Sequence, residues 1–210
     1  KDLYAWYVDK NMQFDRRIID HAKRTARSQD IKIRSLNKKR WDEEINLIRN
    51  IYNQAWEKNW GFVPMTPEEF DKLARDMKSI VIPQLILIAE VKDQAAGFGV
   101  FLPDLNQVMA KIRDGRLFPT GLLKLLWYTK IRRIVTRGRI PLLAVKKEYR
   151  HLGLASMMYM TYFKVGPQAG FDAAECSWTL EDNDAINNGL KFMSAQLYKT
   201  YRIYDKSVSM

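Results

Sequence analysis

The residues of this 210-residue sequence that are best suited to chemistry form a short basic loop, Arg150-His151-Leu152-Gly153-Leu154-Ala155. The loop follows an apolar strand and precedes an apolar helix, predicted from about residue 155 to residue 164. A helix begins with free backbone N–H groups and the positive end of its dipole, and both favour an anion. Gly153 allows a tight turn and a close approach of the backbone to that anion. The loop is therefore typical of a phosphate-binding site.

The composition limits the classes of ligand and the kinds of site that the protein can have. A formal charge of +11 and a pI near 9.7 indicate a surface that attracts a phosphorylated cofactor, nucleic acid or acidic lipid. A single cysteine excludes an internal disulfide, and His21 and His151 are too isolated for a metal site. Cys176 is predicted to be a small buried apolar residue, because no suitably placed histidine would activate it. No segment is long and apolar enough to span a bilayer, so we expect a cytoplasmic protein without a membrane partner.

Hydrophobic periodicity predicts the strands and helices that would hold this loop. Strands are predicted at residues 3–8, 32–36, 85–91, 96–102, 140–145, 171–178 and 198–205. Helices are predicted at residues 41–58, 66–80, 105–113, 121–133, 155–164 and 183–193. Residues 1–30 form an aromatic strand without an obvious partner and a basic helical linker. One interpretation is that they end a preceding, related domain, because residues 4–10 resemble residues 201–206; the main domain would then cover residues 31–210.

The loop resembles the Arg/Gln-x-x-Gly-x-Gly/Ala signature of the GNAT superfamily of acetyl-CoA-dependent N-acyltransferases, with Arg150, Gly153 and Ala155 at the defined positions. The predicted order of elements over residues 31–206 is similar to the GNAT order. The resemblance implies an α+β fold with a mixed, mostly antiparallel central sheet flanked by helices. Residues 105–135 would be a helical insertion between the third and fourth strands of that fold, and we expect the insertion to lie near the cleft.

The resemblance also implies a cofactor, acetyl-CoA or another acyl-CoA. The backbone of one strand would bind the pantetheine arm, the loop would hold the pyrophosphate, and an asparagine after the fifth strand would contact the arm, cap the next helix, or do both. The implied cofactor-binding residues are Leu143, Ala144, Val145, Arg150, His151, Leu152, Gly153, Leu154, Ala155 and Asn183.

Acyl transfer to a primary amine requires the amine to be neutral, so the resemblance implies a carboxylate base near the cleft. Glu175, within an apolar strand, and Glu181, at the end of that strand, are the catalytic candidates. An ordinary ion-paired or solvated carboxylate is the alternative for each. Leu190 stands where many relatives have a tyrosine that protonates the departing thiolate. Tyr198 or Tyr201 would serve instead, or the thiolate would leave without a dedicated acid.

An aromatic segment joins the first two helices of the implied fold, and connections are usually polar. Its Trp56, Trp60 and Phe62 are candidate substrate-binding residues that would form the wall of an acceptor pocket. The alternative is a hydrophobic plug that closes the core. This segment and others resemble a bacterial group of GNAT-related proteins in which this domain follows another.

The leading functional hypothesis is an acyl-CoA-dependent N-acyltransferase, with a small-molecule or peptide amine as the acceptor. A non-catalytic acyl-CoA-binding or interaction domain is the first alternative, because Leu190 replaces the tyrosine. A nucleic-acid-binding or charged-RNA-binding protein is the second, and a homo-oligomer is compatible with any of the three. The candidate phosphate contacts of the nucleic-acid-binding alternative are Lys111, Arg113, Arg116, Lys124, Lys130, Arg132, Arg133, Arg137 and Arg139. Trp127 and Tyr128 lie among them in the sequence and would stack with bases.

Overall fold

A computed structural model describes residues 1–14, 16–57, 60–78, 80–112, 115–116, 118 and 120–206 of the chain. Its strands are β1 (Asp2–Asp9), β2 (Ile31–Ser35), β3 (Ile86–Val91), β4 (Gln94–Pro103), β5 (Arg137–Val145), β6 (Ala173–Leu180) and β7 (Gln196–Arg202). Its helices are α1 (Arg16–Ser28), α2 (Trp41–Trp56), α3 (Pro67–Met77), α4 (Asn106–Met109), α5 (Thr120–Leu126), α6 (Leu154–Gln168) and α7 (Asp184–Phe192). Arg113 and the side chain of Lys130, both candidate phosphate contacts, lie outside what the structure describes.

The described strands form one mixed sheet in the order β2-β3-β4-β5-β6-β1-β7. Neighbouring strands are antiparallel except β5 and β6, which run parallel. Helices cover both faces of the sheet. The predicted fold class is therefore confirmed, and most predicted strands and helices begin and end within a few residues of the observed ones.

Strand β1 lies inside this sheet, between β6 and β7. Its Trp6 and Val8 belong to the buried core, and the indole Nε1 of Trp6 donates to Thr179 Oγ1 at 3.1 Å and to Asn187 Oδ1 at 3.3 Å. Hydrophobic periodicity did not identify a partner for this strand, because both neighbouring strands are more than 160 residues away in the sequence. The interpretation of residues 1–30 as the end of a preceding domain stays a prediction.

The alternation of side chains along the strands divides the core into two layers. One layer packs α1, α6 and α7 against the sheet and includes Leu87, Met158 and Leu190. The other packs α2 and α3 against the opposite face and includes Ile51 and Phe98. The two layers hold α6 and α2 on either side of β4 and β5, and these elements provide the walls of the cleft described below.

An ion pair fixes α2 to the sheet. Arg34 on β2 donates from Nη1 to both carboxylate oxygens of Glu44 at 2.9 Å, and from Nε to Glu90 on β3 at 2.6 Å. Glu44 is buried, so this charge must be paired where it lies. The contact holds the start of α2, and the C-terminal end of the same helix reaches the cleft at Trp56.

The insertion between β4 and β5 differs from its prediction in shape and in place. The expected helix at 105–113 is a single turn, α4, and the expected helix at 121–133 is α5 followed by a π-helical turn at Trp127–Ile131. The insertion lies across a groove of about 490 Å³ from Ile82, Val135 and Phe171, near the N-terminal end of β5. The basic loop follows the other end of β5. Within the described residues, no insertion side chain lines the cleft, so its expected place near the cleft is not observed.

Candidate functional site

The sheet opens between β5 and β6. The two parallel strands pair from Arg137 opposite Ala173 to Ile140 opposite Cys176, and no described pairing continues beyond that point. On its other side, β5 stays paired with β4 up to Val145 opposite Gly97. The β6-facing backbone groups of the last β5 residues therefore lack a strand partner within the described residues, which is the geometry that an extended ligand arm needs.

Two adjoining cavities fill this opening. The phosphate-side cavity, about 700 Å³, runs from the basic loop between β5 and the start of α7. The aromatic cavity, about 280 Å³, lies beside the end of β6 and the segment that follows α2. Trp56, Trp60, Leu143, Tyr159 and Asn183 line both cavities. The two cavities therefore form one cleft that crosses the sheet.

The basic loop folds as a turn of 3-10 helix, Lys147–Leu152, and Gly153 ends it and begins α6. Gly153 has φ of 70°, in the left-handed region that favours glycine. A Cβ there would meet no atom within 4 Å, so the backbone angle, and not crowding, requires glycine. The free N–H groups of the first turn of α6 lie beside the phosphate-side cavity.

The side chain of Arg150 forms hydrogen bonds with two walls of the cleft. Its Nη2 donates to the carbonyl of Ala55 near the end of α2 at 2.8 Å, and its Nε donates to the carbonyl of Val145 at 3.3 Å. The guanidinium thus links the loop to α2 and β5 while it borders the phosphate-side cavity.

The structure brings most of the implied cofactor residues together. The phosphate-side cavity is lined by Leu143, Ala144, Val145, Arg150, Gly153, Ala155 and Asn183. Leu152 and Leu154 are buried in the core beneath the loop, and His151 is exposed beside it. For the two buried leucines, only a backbone contact with a ligand remains part of the prediction, and the contact of His151 with the cofactor stays a prediction. The Asn183 side chain accepts from Ile186 N at 3.4 Å, so it caps α7 and also faces the cleft.

The three aromatic candidates line the cleft. Trp56 packs edge-on against Tyr52 at 4.6 Å between ring centroids and against Phe98 at 6.0 Å, which anchors it to the core. Trp60 is 55% exposed and lines both cavities, while Phe62 lines the aromatic cavity. A half-exposed indole does not close a core. The segment therefore lines the cleft at Trp60 and also packs on the core through Trp56, and its role in binding an acceptor stays a prediction.

Glu175 does not line the cleft, but it contacts Ser177, which does. Its carboxylate accepts hydrogen bonds from Ser177 Oγ and from the hydroxyl of Tyr198, and Arg139 Nε lies 3.5 Å from it. Arg139 Nε also donates to Ser177 Oγ at 2.9 Å. Ser177 is buried and lines the aromatic cavity, whereas Glu175 does not. The serine hydroxyl therefore connects the carboxylate to the cleft.

Glu181, the other carboxylate candidate, faces the first residues of the chain. Its Oε1 accepts from the backbone N–H of Asp2 at 3.1 Å and lies 3.8 Å from Lys1 Nζ. Its neighbours Leu180 and Asn183 line the cleft, but Glu181 is not among the described residues that do so. This environment is that of an ion-paired carboxylate.

Tyr159 is the residue that sequence reasoning missed. It lines both cavities of the cleft and also a small apolar cavity of about 40 Å³, which Leu190 lines too. Its hydroxyl makes no hydrogen bond to any described residue. Burial raises the pKa of Tyr159 well above its usual value, so the phenol is protonated at neutral pH. The available signal was its spacing of four residues from Ala155, which places both on one side of α6.

Cys176 behaves as the sequence predicted. The side chain is buried, and burial, together with the nearby charge of Glu175, raises the pKa of its thiol to about 12. A thiol in that state is not a nucleophile at neutral pH. Among the described residues, no group of three or more histidine, cysteine or acidic side chains could hold a metal ion. No described helix is long and apolar enough to cross a membrane.

No family model matches the chain. Two curated relatives do: Protein YghO of Escherichia coli, 34% identical over 215 residues, and the bacterial ceramide synthase of Caulobacter vibrioides, 33% identical over 212 residues. Each match covers 99% of this chain, and 53% and 54% of the respective relatives. The chain therefore spans about half the length of the curated relatives it matches.

Solved structures share the fold at low sequence identity. A GCN5-related N-acetyltransferase from Sphaerobacter thermophilus superposes with a TM-score of 0.60 at 13% identity, over 95% of this chain and 49% of that one. An aminoglycoside acetyltransferase from an uncultured soil metagenomic sample, in complex with sisomicin, gives 0.53 at 11%, over 87% and 99%. Aminoglycoside N-acetyltransferase AAC(6')-Iy in complex with CoA gives 0.50 at 14%, over 86% and 95%.

Proposed function

Because the chain has the fold of the GCN5-related N-acetyltransferases, we propose that it is an acyl-CoA-dependent N-acyltransferase that transfers an acyl group to a primary amine. The observation that carries this proposal is the opening of the sheet between β5 and β6, with a left-handed Gly153 and the first turn of α6 at one end. Acyl-CoA would supply an acyl group already activated as a thioester.

The chain's residues fit this ligand. A cavity of about 700 Å³ is of the size that holds a cofactor. The free N–H groups of α6 and the positive end of its dipole suit a pyrophosphate. The unpaired edge of Leu143, Ala144 and Val145 suits an amide-bearing arm, which would bind as an added strand. The Asn183 Nδ2 makes no hydrogen bond to a described residue and is available to the same arm.

Two protons have to move when an amine displaces a thiolate. The amine proton would pass to Ser177 Oγ, whose own hydrogen is already directed at the Glu175 carboxylate, so that Glu175 acts as the base through the serine. Arg139 holds the serine oxygen in place. At the other end, the protonated hydroxyl of Tyr159 would donate to the departing sulfur, in place of the tyrosine that the resemblance expects at the position of Leu190.

We infer that the acceptor amine carries a long apolar chain. A ceramide is the amide of a fatty acid with a long-chain amino alcohol, and one relative is named a bacterial ceramide synthase. The aromatic cavity supports the same class, because Tyr52, Trp56, Phe62 and Trp178 line it. Aromatic walls stabilise an alkyl chain by removing its surface from water.

A domain that binds acyl-CoA without turnover is the second candidate function. Leu190 favours it, because this buried residue offers no proton donor at the position where the resemblance expects a tyrosine. This candidate predicts that the cleft binds the cofactor while no amide forms. A nucleic-acid-binding function has no support from the cleft.

The proposal is tested by incubating the protein with acetyl-CoA or a long-chain acyl-CoA and a panel of amines, and by measuring thiol release together with amide formation by mass spectrometry. The panel contains a long-chain amino alcohol, a short amino alcohol of the same head group, an aminoglycoside and a peptide with a free N-terminus. Amide formed with the long-chain amine but not with its short analogue is the expected result. Cofactor binding without any amide would favour the non-catalytic candidate.

A further inference from the structure

The insertion between β4 and β5 presents an apolar side to the exterior. Leu123, Leu126, Trp127 and Ile131, here called the insertion patch, are spaced three, four and eight residues along α5 and its π-helical continuation. They therefore lie on one side of the helical segment. Leu123 and Ile131 are 67% and 64% exposed, and the other two are about half exposed.

The inner side of the same segment is occupied by the protein. Gly121 is buried against the backbone of Arg116, and Leu125 and Thr129 line a groove of about 490 Å³ whose other wall includes Val135 and Phe171. Leu126 lines this groove too, so it lies at the edge between the inner side and the exposed side. The inner side of the segment thus faces the groove, while nothing in the described part of the chain covers Leu123, Trp127 and Ile131 on its outer side. Clustered large apolar side chains in that position indicate a surface that binds something.

Positive charge surrounds the insertion patch. Lys124 lies within the segment, and Arg132 and Arg133 follow it directly. All three are exposed, and none forms an ion pair with a described residue. Between positions 105 and 136 the sequence has seven basic residues and one acidic residue. The occupant of this surface must therefore be apolar at the centre and negative around it.

We propose that the insertion patch binds the surface of an anionic lipid bilayer. An amphipathic segment with leucine, isoleucine and tryptophan on one side and lysine and arginine beside them lies in the plane of the interface. Tryptophan is suited to the head-group level, and each nearby cation adds to the attraction of an anionic leaflet. This proposal replaces the expectation from the sequence that the protein has no membrane partner. That expectation rested on the lack of a spanning segment, and binding to a bilayer surface requires none.

The charges and side chains favour a bilayer over two other occupants. Two copies of the chain would bring the same cations together, which opposes self-association through this surface. Single-stranded nucleic acid would bind by stacking bases on aromatic faces, but three of the four patch residues are aliphatic. The proposal does not depend on the acyltransferase activity, because the insertion patch lies outside the cleft.

The test is co-sedimentation of the full chain with phosphatidylcholine vesicles that contain or lack phosphatidylglycerol. Binding to the anionic vesicles, weakened by salt and weak on neutral ones, is expected. The Leu123→Gln/Trp127→Gln double variant should reduce partitioning about tenfold or more, because both side chains lose their contribution from apolar burial. The separate Lys124→Glu/Arg132→Glu variant should reduce partitioning onto the anionic vesicles about fivefold for each cation removed, which is about 25-fold for the pair.

Matched controls are available at the end of α7. Phe192 is as exposed as Leu123, and Lys191 is an exposed lysine beside it. Phe192→Gln and Lys191→Glu should leave vesicle binding unchanged. The proposal is overturned if these controls lose as much binding as the patch variants, if neutral vesicles bind equally well, or if no vesicle binds. Salt-sensitive binding of single-stranded RNA without vesicle binding would overturn it too, and would return these cations to the nucleic-acid interpretation.

Discussion

Removal of one hydroxyl group, in the variant Tyr159→Phe, separates catalysis from stability. In the proposed mechanism Tyr159 protonates the departing sulfur, and its hydroxyl makes no hydrogen bond to a described residue of the folded chain. The variant therefore loses a proton donor but no stabilising contact. We expect a large fall in turnover with little change in the free energy of unfolding.

The magnitude follows from the role. General acid catalysis contributes about 100-fold to 10,000-fold, so kcat should fall at least about 100-fold, which corresponds to about 2.7 kcal/mol of activation free energy. Tyr159 lines the cleft, and its hydroxyl is not among the fully buried unpaired atoms of the described residues, so the unfolding free energy should stay within about 1 kcal/mol of wild type. The affinity for acyl-CoA should change little.

The assay is steady-state thiol release with the best amine from the panel, together with thermal unfolding of each variant. Tyr162→Phe is the matched control, because Tyr162 lies one turn further along α6, is equally buried, and lines the small apolar cavity but neither cavity of the cleft. It should keep the wild-type turnover. Wild-type turnover in Tyr159→Phe, or an equal loss in both variants, would refute the assignment.

Three more predictions follow from the cleft. Glu175→Gln should lower kcat at least about 100-fold without weakening acyl-CoA binding, whereas Glu181→Gln, which alters an ion-paired carboxylate outside the cleft, should not; equal rates in both variants would remove Glu175 as the base. Trp60→Ala should raise the KM for the amine with an unfolding free energy within about 1 kcal/mol of wild type, since the indole is half exposed; a large stability loss would instead make it part of the core. For Cys176, the folded pKa of about 12 exceeds the reference value of 9.0, so above pH 9 the unfolded chain loses a proton that the folded chain keeps, and stability falls as pH rises towards 12. Cys176→Ala should make that decline shallower by up to about 1.4 kcal/mol per pH unit in alkaline unfolding titrations, and an identical slope would contradict the burial of the thiol.

The elements around the cleft were predictable from the sequence because local signals specify them. The apolar run before the basic loop and Gly153 indicated strand, turn and helix, and the structure has them in that order. Thr66 and Glu69 have the three-residue spacing of a capping box, and both of its hydrogen bonds are present at the start of α3, within the helix predicted at residues 66–80. Such signals act between residues a few positions apart, so one sequence is enough to detect them.

The features that depend on distant residues were not predictable in the same way. Strand β1 pairs with strands that lie near the other end of the chain, and hydrophobic alternation alone does not identify a partner. The connection of Glu175 to the cleft through Ser177 depends on the side-chain direction where β6 separates from β5. The place of the insertion near the start of β5 depends on residues that are distant in the sequence, such as Phe171, which lies across the groove from Leu125.

The central claim is that the opening between β5 and β6 binds acyl-CoA. It is tested most directly by thermal unfolding with and without acetyl-CoA, a long-chain acyl-CoA, CoA and ATP as the unrelated nucleotide. A ligand at about a hundred times its Kd contributes about 2.7 kcal/mol to the stability of the folded state. For a chain of this size we predict a rise in Tm of about 5–10 °C with the CoA compounds and a much smaller one with ATP. No shift with any CoA compound, or an equal shift with ATP, would contradict the claim.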